Sequence, residues 1–190
     1  AVDIFGGFAL TVTGLETVNI VSTAVGSTSQ DLGVITMTAD TGGTTTLNFS
    51  GSDIVTTTGT ITADVINASG LTAADTGSTF TMSTAATSVT TITGSAGADT
   101  LVGDASSTIN GGAGNDAITG GSGIDTLNGD AGNDTITTGA GNDTVDGGAG
   151  NDTIVFGANL ATGDVIDGGD GAIDNVQITN ASLTTLAAYG

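Results

Sequence analysis

Aspartates stand at positions 116, 125, 134, 143 and 152, nine residues apart each time, and each follows a cluster of glycines. Carboxylates at a fixed interval can move protons or hold cations. Proton work has few helpers here, because the chain contains no His, Cys, Lys or Arg. That removes most general bases, nucleophile activators and oxyanion-stabilising cations. Paired carboxylates alone could still cleave glycosides, but a regular ladder of them is better suited to metal. No catalytic residue is therefore assigned, and the chain is expected not to be an enzyme.

The aspartates occupy position six of a nine-residue frame. From Gly94 the chain reads GSAGADTLV, a short GDASSTIN, then GGAGNDAIT, GGSGIDTLN, GDAGNDTIT, TGAGNDTVD and GGAGNDTIV. The pattern G-G-x-G-x-D-x-U-x, with U large and apolar, is that of a calcium-binding parallel β-helix. Glycines at positions one, two and four permit the positive φ angles of a tight turn and bare its carbonyls. Ca²⁺ accepts carbonyl and carboxylate oxygens together, about six to eight in all. One turn cannot supply that number, whereas two stacked turns can.

Two nines make a coil of turn, strand, turn and strand, so turns 18 residues apart lie above one another. The spacing predicts clamps joining Asp116 to Asp134, Asp125 to Asp143, and Asp134 to Asp152. Asp99, Asp164 and Asp174 extend the two edges through less regular coils. The carbonyl ligands expected beside them come from Gly111, Ala113 and Gly114, from Gly120, Ser122 and Gly123, and from Gly129, Ala131 and Gly132. Ala140 and Gly141, and then Gly147, Ala149 and Gly150, complete the set. Several Ca²⁺ ions then lie between like charges. The U residues Leu101, Ile109, Ile118, Leu127, Ile136, Val145 and Ile154 face inward as a stripe one residue thick. A solenoid whose Gly-Asp turns hold no metal is the competing reading. Asp and Asn are ordinary turn formers, yet turn chemistry alone does not demand strict nine-residue steps. The Asn-x-Ser/Thr triplets match a glycosylation signal, but most are simply positions five to seven of the repeat.

The elements that must carry these turns are strands. Residues 1–93 hold 25 threonines and show period-two patterning at Leu10 and Val12, Ile35 and Met37, Leu47 and Phe49, and Phe80 and Met82. They are expected to form a Thr-rich β region, either solenoid or sandwich, with a weak eleven-residue echo at Asp53, Asp64 and Asp75. Residues 94–177 are the nonapeptide β-roll and 178–190 a flanking segment, in which ASLTTLAAYG could make a helical turn or two. The whole is all-β. Of 20 acidic residues, 13 fall in 94–177, and the net charge is −20. Self-repulsion on that scale opposes a compact state unless counter-ions bind. It also excludes nucleic acid and anionic membranes as direct partners, since those need Lys or Arg. Disorder is not the alternative, because 37% of the residues are hydrophobic and patterned. No apolar run approaches the length of a membrane span. The start at Ala1, without Met or a basic leader, reads as a piece of a longer polypeptide.

These repeats resemble the RTX (repeats-in-toxin) family of bacterial proteins exported by type I secretion machinery. The resemblance covers residues 94–177 and implies a calcium-loaded roll that folds outside the cell, where metal binding supplies folding free energy. The stretch LTVTGLETVNIVST is similar to the Thr-rich segments that precede such repeats in bacterial S-layer proteins. That likeness implies an extracellular, cell-surface module partnered by further copies of itself and by surface polysaccharide. Adhesins, toxins and exoenzymes carry the same repeats and form the alternative. A Thr-x-Thr ice-binding face is disfavoured by irregular spacing.

Overall fold

A computed structural model of the chain describes residues 9–14, 16–22, 30–31, 34–38, 43–51, 55–71, 79–82, 90–156, 160–171 and 173–178. Every element among them is a strand. The first half contributes β1 (Ala9–Thr13), β2 (Thr17–Ser22), β3 (Gln30–Asp31), β4 (Val34–Thr38), β5 (Thr46–Gly51), β6 (Val55–Thr62), β7 (Val65–Leu71), β8 (Thr79–Met82) and β9 (Thr90–Thr93). The second contributes β10 (Thr100–Val102), β11 (Ser107–Ala113), β12 (Ala117–Ser122), β13 (Thr126–Ala131) and β14 (Thr135–Ala140). β15 (Thr144–Asp146), β16 (Thr153–Phe156), β17 (Val165–Asp167) and β18 (Asn175–Ile178) complete it.

Strands alternate between two parallel sheets. One runs β1-β4-β6-β8-β10-β12-β14-β16-β18, with β3 beside β6, and the other β17-β15-β13-β11-β9-β7-β5-β2. A chain that alternates sheets from strand to strand, apart from β3 and β4 in one sheet, with all pairs parallel, is a β-solenoid. Both sheets pass residues 93–94 without interruption, so the Thr-rich half continues the solenoid and does not form a sandwich.

Register follows the apolar positions. Leu101, Ile118, Ile136 and Ile154 align in one sheet, and Ile109, Leu127 and Val145 in the other. All seven are at most 1% exposed. Leu47, Ile66 and Ile92 carry the second stripe into the first half. A one-residue slip would turn each stripe outward, so this alternation pins the coil. Each fully buried Leu or Ile contributes roughly 1.5–3 kcal/mol, and Phe49, Leu71 and Phe156 add buried bulk beside the stripes.

Coils of the first half differ in length. Asn48 stacks on Asn19 across 29 residues and Asn67 on Asn48 across 19. One described turn is closed by protein groups: Asp64 Oδ2 accepts both the amide and the hydroxyl of Thr45, at 2.7 and 2.8 Å. The eleven-residue echo thus leads at Asp64 to a clasp with Thr45. Asp53 and Asp75, and the helical turn expected in 181–190, lie outside the described residues.

Candidate metal centre

The nonapeptide turns form two edges. Asp99, Asp116, Asp134, Asp152 and Asp174 follow strands of the second sheet, while Asp125, Asp143 and Asp164 follow strands of the first. Within each edge the carboxylates are threaded by hydrogen bonds. Asp116 Oδ1 accepts the amide of Asp99, Asp134 Oδ1 that of Asp116, and Asp152 Oδ1 that of Asp134, at 2.7 to 2.8 Å. The amide of Asp152 donates in turn to Asp174 Oδ1. On the other edge Asp125, Asp143 and Asp164 accept from Ser107, Asp125 and Asp143. The regular steps span 18 residues, and insertions stretch those to Asp164 and Asp174 to 21 and 22.

The other carboxylate oxygens are the informative ones. Oδ2 of Asp116, Asp125, Asp134 and Asp152 is buried and has no hydrogen-bond partner. A buried charged oxygen without a partner is costly, and four in equivalent places call for a cation. Each lies beside the position-one glycine of its own turn and the position-one carbonyl of the next coil. A Cβ placed on Gly129 would meet both Asp134 Oδ2 and the Gly147 carbonyl inside 3.0 Å, closer than real Cβ atoms come. Gly111 is cradled by Asp116 Oδ2 and the Gly129 carbonyl, Gly120 by Asp125 Oδ2 and the Thr138 carbonyl, and Gly147 by Asp152 Oδ2 and the Gly168 carbonyl. No group of three or more acidic side chains comes together among the described residues. Main-chain oxygens must therefore complete any coordination shell, and a mixed carbonyl–carboxylate donor set is what Ca²⁺ accepts. The residues fit the ion.

The family model for the RTX calcium-binding nonapeptide repeat, four copies long, matches residues 93–127 and again 119–154. This segment is an RTX repeat module. RTX repeats bind calcium, and their number here implies several ions. No curated protein matches the chain significantly. No helix long and apolar enough to cross a membrane occurs among the described residues.

Within the RTX turns, position one differs from what sequence reasoning expects. Gly111, Gly120, Gly129 and Gly147 do not have positive φ; they are glycine because the carboxylate and the carbonyl leave no room for Cβ. Positive φ belongs to positions two and four. Gly114, Gly123, Gly132, Gly141 and Gly150 lie between +114° and +146°, a region other residues avoid. Asp130 takes position two at φ 68°, where Asp is tolerated. The position-three carbonyls of Ala131, Ala140 and Ala149 each accept an amide from the coil before, donated by Gly114, Gly123 and Gly132. Ala113 and Ser122 take the same place in their own turns and pair in register with Ala131 and Ala140.

Four residues at the site depart from the sequence pattern. Thr138 and Gly168 supply position-one carbonyls, and Thr138 could have been found by keeping the nine-residue frame where glycine fails. Asp104, at position two of the short coil, also keeps a buried, unpartnered Oδ2. Ser107 stands at the aspartate position of that coil, its hydroxyl beside Gly103 and the Gly120 carbonyl.

With only protein around them, these acids resist ionisation. Burial pushes the Asp116 carboxyl up to about 7, opposed by the Asp99 amide and reinforced by Asp134, Asp99 and Asp130. Burial likewise lifts Asp125 and Asp134 to about 6, and raises Asp143 and Asp152. A bound divalent ion supplies the charge that offsets these carboxylates and ties adjacent coils together. Gly129→Ala is expected to lose one ion per chain and to cost on the order of 1–3 kcal/mol, the usual range for overpacking. Calcium counting by equilibrium dialysis checks it, and an unchanged count would show that the ion lies outside the cradle.

Proposed function

We propose that the chain is a calcium-dependent, non-catalytic assembly module of a secreted bacterial cell-surface protein of the S-layer kind. RTX repeats are typical of secreted bacterial proteins, which fits folding deferred until calcium is met outside the cell. Support for assembly comes from the last coil. Val165, Ile166, Ile173 and Val176 on and beside β17 and β18 are 58%, 38%, 74% and 44% exposed. Exposed apolar side chains on parallel strands fit contact with another copy stacked on them.

Charge makes such contacts conditional. Asp146 and Asp167 are exposed, directly paired in register on the outer face, in a chain without one Lys, Arg or His. Two such faces meet only through a cation, so calcium would act between copies as well as within them. Type I export and contact with a surface polysaccharide belong to the same reading. The RTX region of a secreted adhesin, toxin or exoenzyme is the alternative, and the repeats suit it equally. Light scattering and negative-stain microscopy across a calcium titration separate the two. Ordered sheets or stacks at millimolar calcium, dispersed by chelator, are expected; a chain that folds but stays monomeric would favour the alternative.

A further inference from the structure

The RTX frame is broken at one regular turn. Position one is glycine at 111, 120, 129 and 147 but threonine at 138. At those four glycines, a Cβ would run into the Asp Oδ2 of the same turn and the carbonyl of the following coil. Thr138 has a Cβ, is 1% exposed, and belongs to the turn of Asp143. Correspondingly, Asp143 is the one aspartate of the regular series 116 to 152 without a buried, unpartnered Oδ2. The carbonyl of Thr138 still lies, with Asp125 Oδ2, against the position a Gly120 Cβ would take.

We propose that the Thr138 side chain fills the cradle of its own coil and ends the ion ladder on the second edge, while its carbonyl completes the Asp125 site below. Four complete inter-coil sites result, at Asp116, Asp125, Asp134 and Asp152. The outlying carboxylates agree with this count. Asp99 Oδ2 takes the amide and hydroxyl of Ser95, and Asp164 Oδ2 takes the amide of Ala161 at 2.7 Å. Protein donors thus occupy Oδ2 at Asp99, where Gly94 keeps a cradle with the Gly111 carbonyl, and at Asp164.

The test counts calcium per chain at saturation, using the full chain and differences from wild type so that weak surface ions cancel. Thr138→Gly should bind one ion more, since it restores the cradle present at the four neighbouring turns. Thr138→Gly combined with Asp143→Asn should return to the wild-type count. Asp143→Asn alone should change nothing, because its Oδ1 can still accept the Asp125 amide, whereas Asp134→Asn should lose one ion. Thr138→Ala keeps the Cβ and should match wild type. Equal counts for wild type and Thr138→Gly, with strand signal intact in both, would overturn the proposal. So would loss of an ion in Thr138→Ala, which would make the hydroxyl a ligand, or in Asp143→Asn.

Discussion

Chelating calcium near neutral pH is expected to abolish the strand signal of residues 94–177. The stripe through these coils is one residue thick, and six aspartates beside it are at most 2% exposed with no basic residue in the chain. Ligand binding adds about 2.7 kcal/mol per site at a hundredfold excess over its dissociation constant. Four sites then supply roughly 11 kcal/mol, comparable to the whole stability of an ordinary domain, about 5–15 kcal/mol. Coils closed by protein groups should respond less. Around Leu47 and Ile66 the turn acid is satisfied by Thr45, so amides there should exchange more slowly than those at Ile118 and Ile136 once calcium is removed. Circular dichroism with and without EGTA reads the main effect. An unchanged strand signal would mean that the carboxylates need no metal.

Acid should partly replace calcium. Carboxylates whose folded pKa is raised bind more protons in the folded than in the unfolded state, so stability falls as pH rises through that interval. Their contribution is fully present below the unfolded value, 3.8, and is lost as pH passes about 6 to 7. Asp116, whose carboxyl is raised furthest, disfavours the metal-free fold most as pH rises, followed by Asp125 and Asp134. A calcium-free chain that is unfolded at about pH 8 should therefore regain strand structure on titration to about pH 4.5. Calcium and protons compete for the same oxygens, so the calcium midpoint should also move to higher concentration as pH falls to about 6. Metal-free samples equally unfolded at both pH values would show that burial of these acids does not limit folding.

The roll was legible because its turn chemistry is local. Nine residues contain the glycines, the aspartate and the inward residue, so the stacking of Asp134 on Asp116 and Asp152 on Asp134 can be read from their spacing. The first half hides the same architecture because its coils vary: Asn19, Asn48 and Asn67 align across steps of 29 and 19 residues, and no fixed period survives. Alternation at Leu47 and Phe49 reveals strands there but not which strand lies above which. Space is equally invisible in a sequence. Glycine at position 129 looks like one more flexible turn residue, and only the approach of Asp134 Oδ2 and the Gly147 carbonyl shows why it has no side chain. Residue type does not mark Thr138 as a carbonyl donor, because the oxygen belongs to the main chain; only its place in the nine-residue frame points to it.

Anomalous diffraction from crystals grown with calcium tests the central claim most directly. Peaks are predicted between coils, each beside a carboxylate Oδ2 and a position-one carbonyl: Asp116 with Gly129, Asp125 with Thr138, Asp134 with Gly147, and Asp152 with Gly168. Peaks confined to outward carboxylates such as Asp146 and Asp167, with none between the coils, would contradict it.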